Sequence, residues 1–203
     1  YITEQPREEF FTAMDAANVD LKAFTEGFYK TLCSVELAPV LETLKYLKHE
    51  TDVWFEITTL LIPGYNDTTK EIAALSEWIM DNLGPDVPVH FSCFHPDWKM
   101  RDIPPTPPNT LQHARTIALK TGLRYVYTGN VHDEAGQSTY CHGCNTRLIG
   151  RDWYELTGWN LTAEGCCVNC GETCAGVFEA HPGDWGQRRL PVRNDAGSRV
   201  SGV

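Results

Sequence analysis

Six of the eight cysteines in this chain lie after residue 140, and their spacing is that of metal ligands. Cys141 and Cys144 form one Cys-x-x-Cys knuckle, and Cys167 and Cys170 form a second about twenty residues later. Each knuckle presents two thiolates on one side of a tight turn. A hairpin between them brings the pairs together as a closed tetrahedral site, a structural arrangement that favours zinc. Four thiolates also suit iron, as in a rubredoxin-like centre. Cys166 competes with Cys167, but its longer gap to Cys170 makes a poorer knuckle. Cys174 reads as core and His142 as an exposed residue inside the first knuckle. Gly171 lets the backbone turn tightly beneath a metal. Disulfides are the other use of such cysteines; the knuckle spacing and ordinary composition favour ligation in a reducing cytoplasm.

A second group of candidates is spread through the first two thirds. Asp20 and Lys22 are two apart, so on a strand they point the same way. Ile62 opens the turn Pro63-Gly64-Tyr65-Asn66-Asp67, and His95 follows a run of strand formers. The plain alternatives are a strand-end ion pair for Asp20 and Lys22, a strand-terminating turn at Ile62, and a packed or solvated histidine at 95. Asn130, His132 and Asp133 line a substrate mouth or form a linker, and the linker is the safer reading.

The elements that must hold these groups alternate between strand and helix. Strands are expected over 17–22, 53–62, 87–94 and 123–128. Helices are expected over 36–49, from Thr68 through Leu83, and over 110–121, the last capped by Gly122. Thr68-x-x-Glu71 predicts a capping box. Such alternation implies right-handed crossovers and a parallel sheet. Four strands are too few for a closed eight-stranded barrel of about 250 residues. Asp20, Pro63-Gly64 and His95 all fall just after strand carboxyl ends, the ligand-binding face of such sheets. The domain reading is therefore an α/β part over 1–138, a four-cysteine zinc-ribbon-like module over 139–178 with a hairpin between its knuckles, and a disordered tail over 179–203.

The totals limit the function classes. The chain has 203 residues and a net charge of −10, which argues against a nucleic-acid surface. No apolar run approaches the ~18 residues of a membrane helix, and no signal peptide is visible. The expected location is cytoplasmic.

Several segments in order resemble a known family: Asn18-Val19-Asp20-Leu21-Lys22-Ala23-Phe24, Ile62-Pro63-Gly64-Tyr65-Asn66-Asp67, His90-Phe91-Ser92-Cys93-Phe94-His95-Pro96-Asp97 and Tyr127-Thr128-Gly129-Asn130-Val131-His132-Asp133. They are similar to radical S-adenosylmethionine (SAM) enzymes, to the branch of the pyruvate formate-lyase activating enzymes, and within it to the AmmeMemoRadiSam-system enzymes. The resemblance implies a partial (β/α)6 barrel, a 4Fe-4S cluster and SAM, whose reductive cleavage gives a 5′-deoxyadenosyl radical that abstracts hydrogen from a substrate. It implies that Asp20 and Lys22 contact the methionyl end of SAM, that Ile62 walls the adenine and that His95 touches SAM. It also implies association with Memo-like and AMMECR-like proteins, with a protein among the candidate substrates. The chain departs from the family at the cluster: Cys-x-x-x-Cys-x-x-Cys occurs nowhere in it. The expectation is a C-terminal portion without the cluster-binding half, inactive alone, with no catalytic residue singled out. A metal-stapled, non-catalytic binding module is the second reading. A barrel hydrolase using Asp20, His95 or Asp133 ranks last, because no nucleophile elbow or phosphate loop is present.

Overall fold

A computed structural model describes residues 1–183 together with Gly186 and Arg188. Most of the expected tail over 179–203 lies outside the described residues.

The polar, acidic opening segment folds as helix α1 (Glu4–Phe11), which carries little apolar surface. It is held by buried Phe11 and by Arg7, whose guanidinium lies 4.6 Å from the Tyr46 ring centre. Strand β1 (Ala16–Asp20) follows, then a single turn α2 (Glu26–Phe28) that widens into a π-helical turn over Tyr29–Cys33. Helix α3 (Ala38–Glu50), strand β2 (Trp54–Leu61), helix α4 (Thr69–Leu83), strand β3 (Val89–Cys93), helix α5 (Pro108–Thr121) and strand β4 (Val126–Gly129) complete the alternating part. The strands are parallel in the order β1-β2-β3-β4.

β2 explains the two faces of this sheet. Its odd-numbered residues Phe55, Ile57, Thr59 and Leu61 are buried, and the even-numbered residues between them are half-buried. The buried set joins Val89, Phe91 and Val126 against Leu44, Leu47, Ile72, Ile79 and Leu111 of the helices in one apolar core. At about 25 cal/mol per Å² of apolar surface, this burial is the main force holding the layers together. The opposite face is polar. Asp20 is in register with Thr58, Thr58 with His90, and His90 with Tyr127, so these residues stand in one row across the sheet. Among the described residues β1 pairs with β2 alone, so the sheet is open on that side.

One local expectation is corrected. Thr68 does cap α4, its side chain accepting from Glu71 N at 3.2 Å. Glu71 does not return the bond to complete a capping box. Its Oε1 accepts instead from Phe24 N at 2.8 Å, tying α4 to the loop after β1. Gly122 ends α5 with φ of 112°, the left-handed region that suits glycine.

The cysteine-rich part follows without an extended linker. Asp133 caps the short helix α6 (Glu134–Gln137), accepting from Gly136 N at 3.0 Å, and also accepts from Thr128 Oγ1 at 3.1 Å. Strands β5 (Thr139–Tyr140), β6 (Arg147–Asp152) and β7 (Glu155–Trp159) form a separate antiparallel sheet. Its small core holds Cys141, Leu148, Ile149, Leu161, Cys167 and Cys174, together with Tyr125 from the segment leading into β4. The Tyr125 hydroxyl accepts from Ala175 N at 3.0 Å, fastening this core to the larger sheet. No helix among the described residues is long and apolar enough to cross a membrane.

Candidate metal centre and strand-end cleft

The two knuckles adopt the same turn. Asn145 N donates to Cys141 O at 2.8 Å, and Gly171 N donates to Cys167 O at 2.9 Å. The residue closing each turn is left-handed, with φ of 60° at Asn145 and 79° at Gly171. Glycine tolerates that conformation freely and asparagine better than most residues. The β6–β7 hairpin folds the second knuckle back onto the first.

As a result the sulfurs of Cys141, Cys144, Cys167 and Cys170 all lie within 4.8 Å of one another. Cys141 and Cys170 are 3.5 Å apart and Cys144 and Cys167 are 3.7 Å apart. Those gaps are far longer than a disulfide of about 2.05 Å, and all eight cysteines are free. A tetrahedral ion with metal–sulfur bonds of about 2.3 Å sets sulfur–sulfur edges of about 3.8 Å, so the donor set fits a closed four-sulfur site. Cys166 is turned aside, its sulfur 3.8 Å from Thr173 Oγ1. Among the described residues no other group of three or more potential ligands converges.

The electrostatics of Cys144 and Cys170 suit a cation. The side-chain hydrogen bond from Asn169, followed by those with Thr146, draws the Cys144 thiol down to about 5. A backbone hydrogen bond at Glu172 lowers Cys170, but the neighbouring thiols outweigh it and push Cys170 up to about 12. One thiolate forms readily, and the next must form beside it. A bound divalent ion removes that conflict.

The strand-end candidates divide. Asp20 and Lys22 form an ion pair at 2.8 Å, each side chain about half exposed (52% and 45%). Both line a cleft of about 780 Å³ beside β1, together with Ile62, Cys33, Phe28 and Met100. His95 is exposed just past β3 and does not line this cleft. Burial raises the Cys33 thiol, keeping it protonated. Cys93 lies elsewhere, its sulfur 3.2 Å from Thr106 O. The described residues therefore offer no three-cysteine seat for a 4Fe-4S cluster at this cleft.

Several side chains that fix the cleft are not singled out by sequence reasoning. Buried Asn66 donates to Lys22 O at 2.6 Å and to Leu60 O at 2.9 Å, and accepts from Ile62 N at 2.7 Å. The Tyr29 hydroxyl accepts from Lys22 N at 3.0 Å, and burial raises it to about 12. Thr59 Oγ1 donates to Leu21 O at 2.7 Å. Turn composition marks Asn66 only as a loop residue; its partners are Leu60 on β2 and Lys22 and Ile62 just past β1 and β2.

The comparisons bear on this geometry. No family model matches the chain. An uncharacterised protein of Methanocaldococcus jannaschii is 42% identical over 173 residues, which is 85% of this chain and 51% of the relative. The chain thus spans about half the length of the curated relative it matches. Among solved structures, a domain of pyruvate-formate lyase-activating enzyme from Bacteroides vulgatus superposes with a TM-score of 0.54 at 20% identity, covering 63% of this chain and 74% of that one. The two share a fold. At that identity the likeness speaks for the α/β architecture and for nothing finer.

Proposed function

We propose that this chain supplies the later strands of a radical SAM partial barrel together with a structural zinc module. The observation that carries the reading is the Asp20–Lys22 pair at the carboxyl end of β1, facing an open cleft in a sheet whose fold is that of a pyruvate-formate lyase-activating enzyme domain. The length of the M. jannaschii relative, about twice the matched span, supports placing further barrel strands and the cluster cysteines elsewhere in the complete protein. In this reading Asp20 meets the SAM amine, Lys22 meets its carboxylate, and Ile62 walls the adenine. The described residues form no seat for a 4Fe-4S cluster at this cleft; cysteines elsewhere in the complete protein would hold it, and it would supply the electron for reductive cleavage of SAM. The family resemblance adds His95 to the SAM contacts, although it stands exposed outside the lining of this cleft. A protein substrate and association with Memo-like and AMMECR-like proteins belong to the same reading.

The test uses the full-length M. jannaschii relative, purified anaerobically and reconstituted with iron and sulfide. Dithionite should then yield 5′-deoxyadenosine from SAM. Replacing the residues aligned with Asp20 and Lys22 should weaken SAM binding about tenfold or more each, the effect of removing a charge-assisted bond. A protein that holds metal in its cysteine module but neither binds nor cleaves SAM would overturn the reading in favour of a metal-stapled binding module.

A further inference from the structure

A second cleft, of about 410 Å³, opens on the polar face of the larger sheet where the metal module approaches it. Glu56 and His90 form its floor, Tyr127 and Arg151 its walls, and Trp153 and Tyr154 of the β6–β7 turn its rim.

The charges in this cleft are unevenly committed. Glu56 Oε2 and His90 Nε2 are 2.6 Å apart, and Glu56 Oε1 accepts from Trp54 Nε1 at 3.3 Å. His90 Nδ1 has no partner among the described residues. The buried side-chain nitrogens and oxygens left unpaired there are Arg7 Nε and Trp159 Nε1, so His90 Nδ1 is open to solvent. Arg151 uses one nitrogen, Nη1, on Thr139 Oγ1 at 2.6 Å and Gln137 O at 3.4 Å. Its other N–H groups are neither buried nor bonded, and no carboxylate among the described residues pairs with it.

His90 and Arg151 flank one phenol: the His90 ring stacks 5.0 Å from Tyr127, and the Arg151 guanidinium lies 5.6 Å from the same ring. The cleft therefore carries both signs: a carboxylate bonded to His90 and Trp54, whose ionised form the Arg151 charge already favours, and a guanidinium with no carboxylate in ion-pair contact among the described residues. A lone anion would meet Glu56, and a lone cation would meet Arg151. A small molecule carrying both charges satisfies each end.

The rim is also built at a cost. Trp153 has φ of 53°, a left-handed conformation that strains a bulky residue. It is pinned by its own N–H to Gln137 Oε1 at 3.0 Å and by Nε1 to His132 Nδ1 at 2.7 Å. The effect is to hold an indole over the mouth of the cleft.

We propose that this cleft binds a free α-amino acid, with its carboxylate on Arg151, its ammonium on the Glu56–His90 pair and an apolar side chain against Trp153 and Tyr154. The inference is independent of SAM binding at Asp20, which lines the other cleft.

The test is an NMR titration of the metal-loaded chain, read at the His90 imidazole protons and assigned by their loss in His90→Gln. Three probes are compared: L-phenylalanine, 3-phenylpropionate, which lacks the ammonium, and phenethylamine, which lacks the carboxylate. Phenylalanine should shift the His90 signals saturably, and each half-ligand should bind about tenfold more weakly or worse. Arg151→Met should abolish the phenylalanine response, and Arg151→Lys should weaken it by losing the fork geometry. Should Arg151→Met disturb the backbone spectrum, Glu56→Gln, which keeps a hydrogen-bond acceptor at the floor, should still weaken phenylalanine more than 3-phenylpropionate. No saturable shift, or equal binding of phenylalanine and either half-ligand, would overturn the proposal.

Discussion

Asn66 Nδ2 sits 2.6 Å from the carbonyl oxygen of Lys22, reaching from the turn after β2 to the end of β1. With its bonds to Leu60 O and Ile62 N, one buried amide holds two strand ends in register at the cleft. Asn66→Ala leaves these backbone groups unpaired, at about 1–3 kcal/mol for each that water cannot reach. Asn66→Asp keeps the acceptor for Ile62 N and loses both donated bonds. Urea unfolding should show both variants clearly destabilised, with aspartate at least as severe as alanine, because its buried carboxylate faces the Lys22 and Leu60 carbonyl oxygens. Equal stability to the parent would mean that the strand ends are fixed by other contacts.

The four-sulfur group predicts metal content directly. The chain should carry one metal equivalent, measured by elemental analysis. Replacing any of Cys141, Cys144, Cys167 or Cys170 with serine should abolish it, and Cys166→Ser should retain it, because Cys166 faces Thr173 outside the group. Chelation should unfold the module core around Leu148 while the larger sheet keeps its own core.

The Glu56–His90 pair predicts an acid-side dependence. The hydrogen bond with His90, more than any other influence, holds the Glu56 carboxyl below the usual carboxylate range. The folded state thus favours the ionised form. This contribution to stability is present above the unfolded carboxylate value of about 4.3 and is lost as pH falls through the lower folded value. Glu56 is about a third exposed, so solvent weakens the effect. Thermal unfolding of Glu56→Gln followed from pH 6 to pH 3 should show a flatter decline than the parent; parallel curves would remove Glu56 from the account.

Tyr125 predicts how firmly the module is docked. Tyr125→Phe keeps the ring in the small core and removes the acceptor for Ala175 N. The loss should be about 1–3 kcal/mol if that amide stays dry. Hydrogen exchange at Ala175 should accelerate, while exchange at β2 and β3 stays unchanged. Slow exchange at Ala175 in the variant would show that the module is held by packing alone.

What could be read from the residues follows the range of the interactions. The knuckles are legible because each turn closes within a few residues, and the β6–β7 hairpin is legible from its run of strand formers. The alternating elements are legible because apolar period and turn residues agree at β2, α4 and Gly122. Long-range partners are not. Glu71 looks like a capping-box member until Phe24, 47 positions away, claims its carboxylate. Glu56 sits in an apolar run as an unexplained charge until His90, 34 positions away, is brought beside it. α1 escapes notice because its sequence is polar, and its hold on the protein is Phe11 and an arginine on a distant tyrosine ring. The pairing of Asp20 with Lys22 can be read from their spacing, whereas Asn66, which holds the backbone of Lys22 just past β1, has the composition of an ordinary turn.

The paired knuckles have one more consequence. A divalent ion held by both turns binds the folded module and has no comparable seat in the unfolded chain, so the stability of this region grows with the logarithm of free metal concentration. In a metal-poor medium the small core around Leu148 and Cys167 loses that support, while the Trp153 bonds to Gln137 and His132 still tie the β6–β7 turn to the segment after β4.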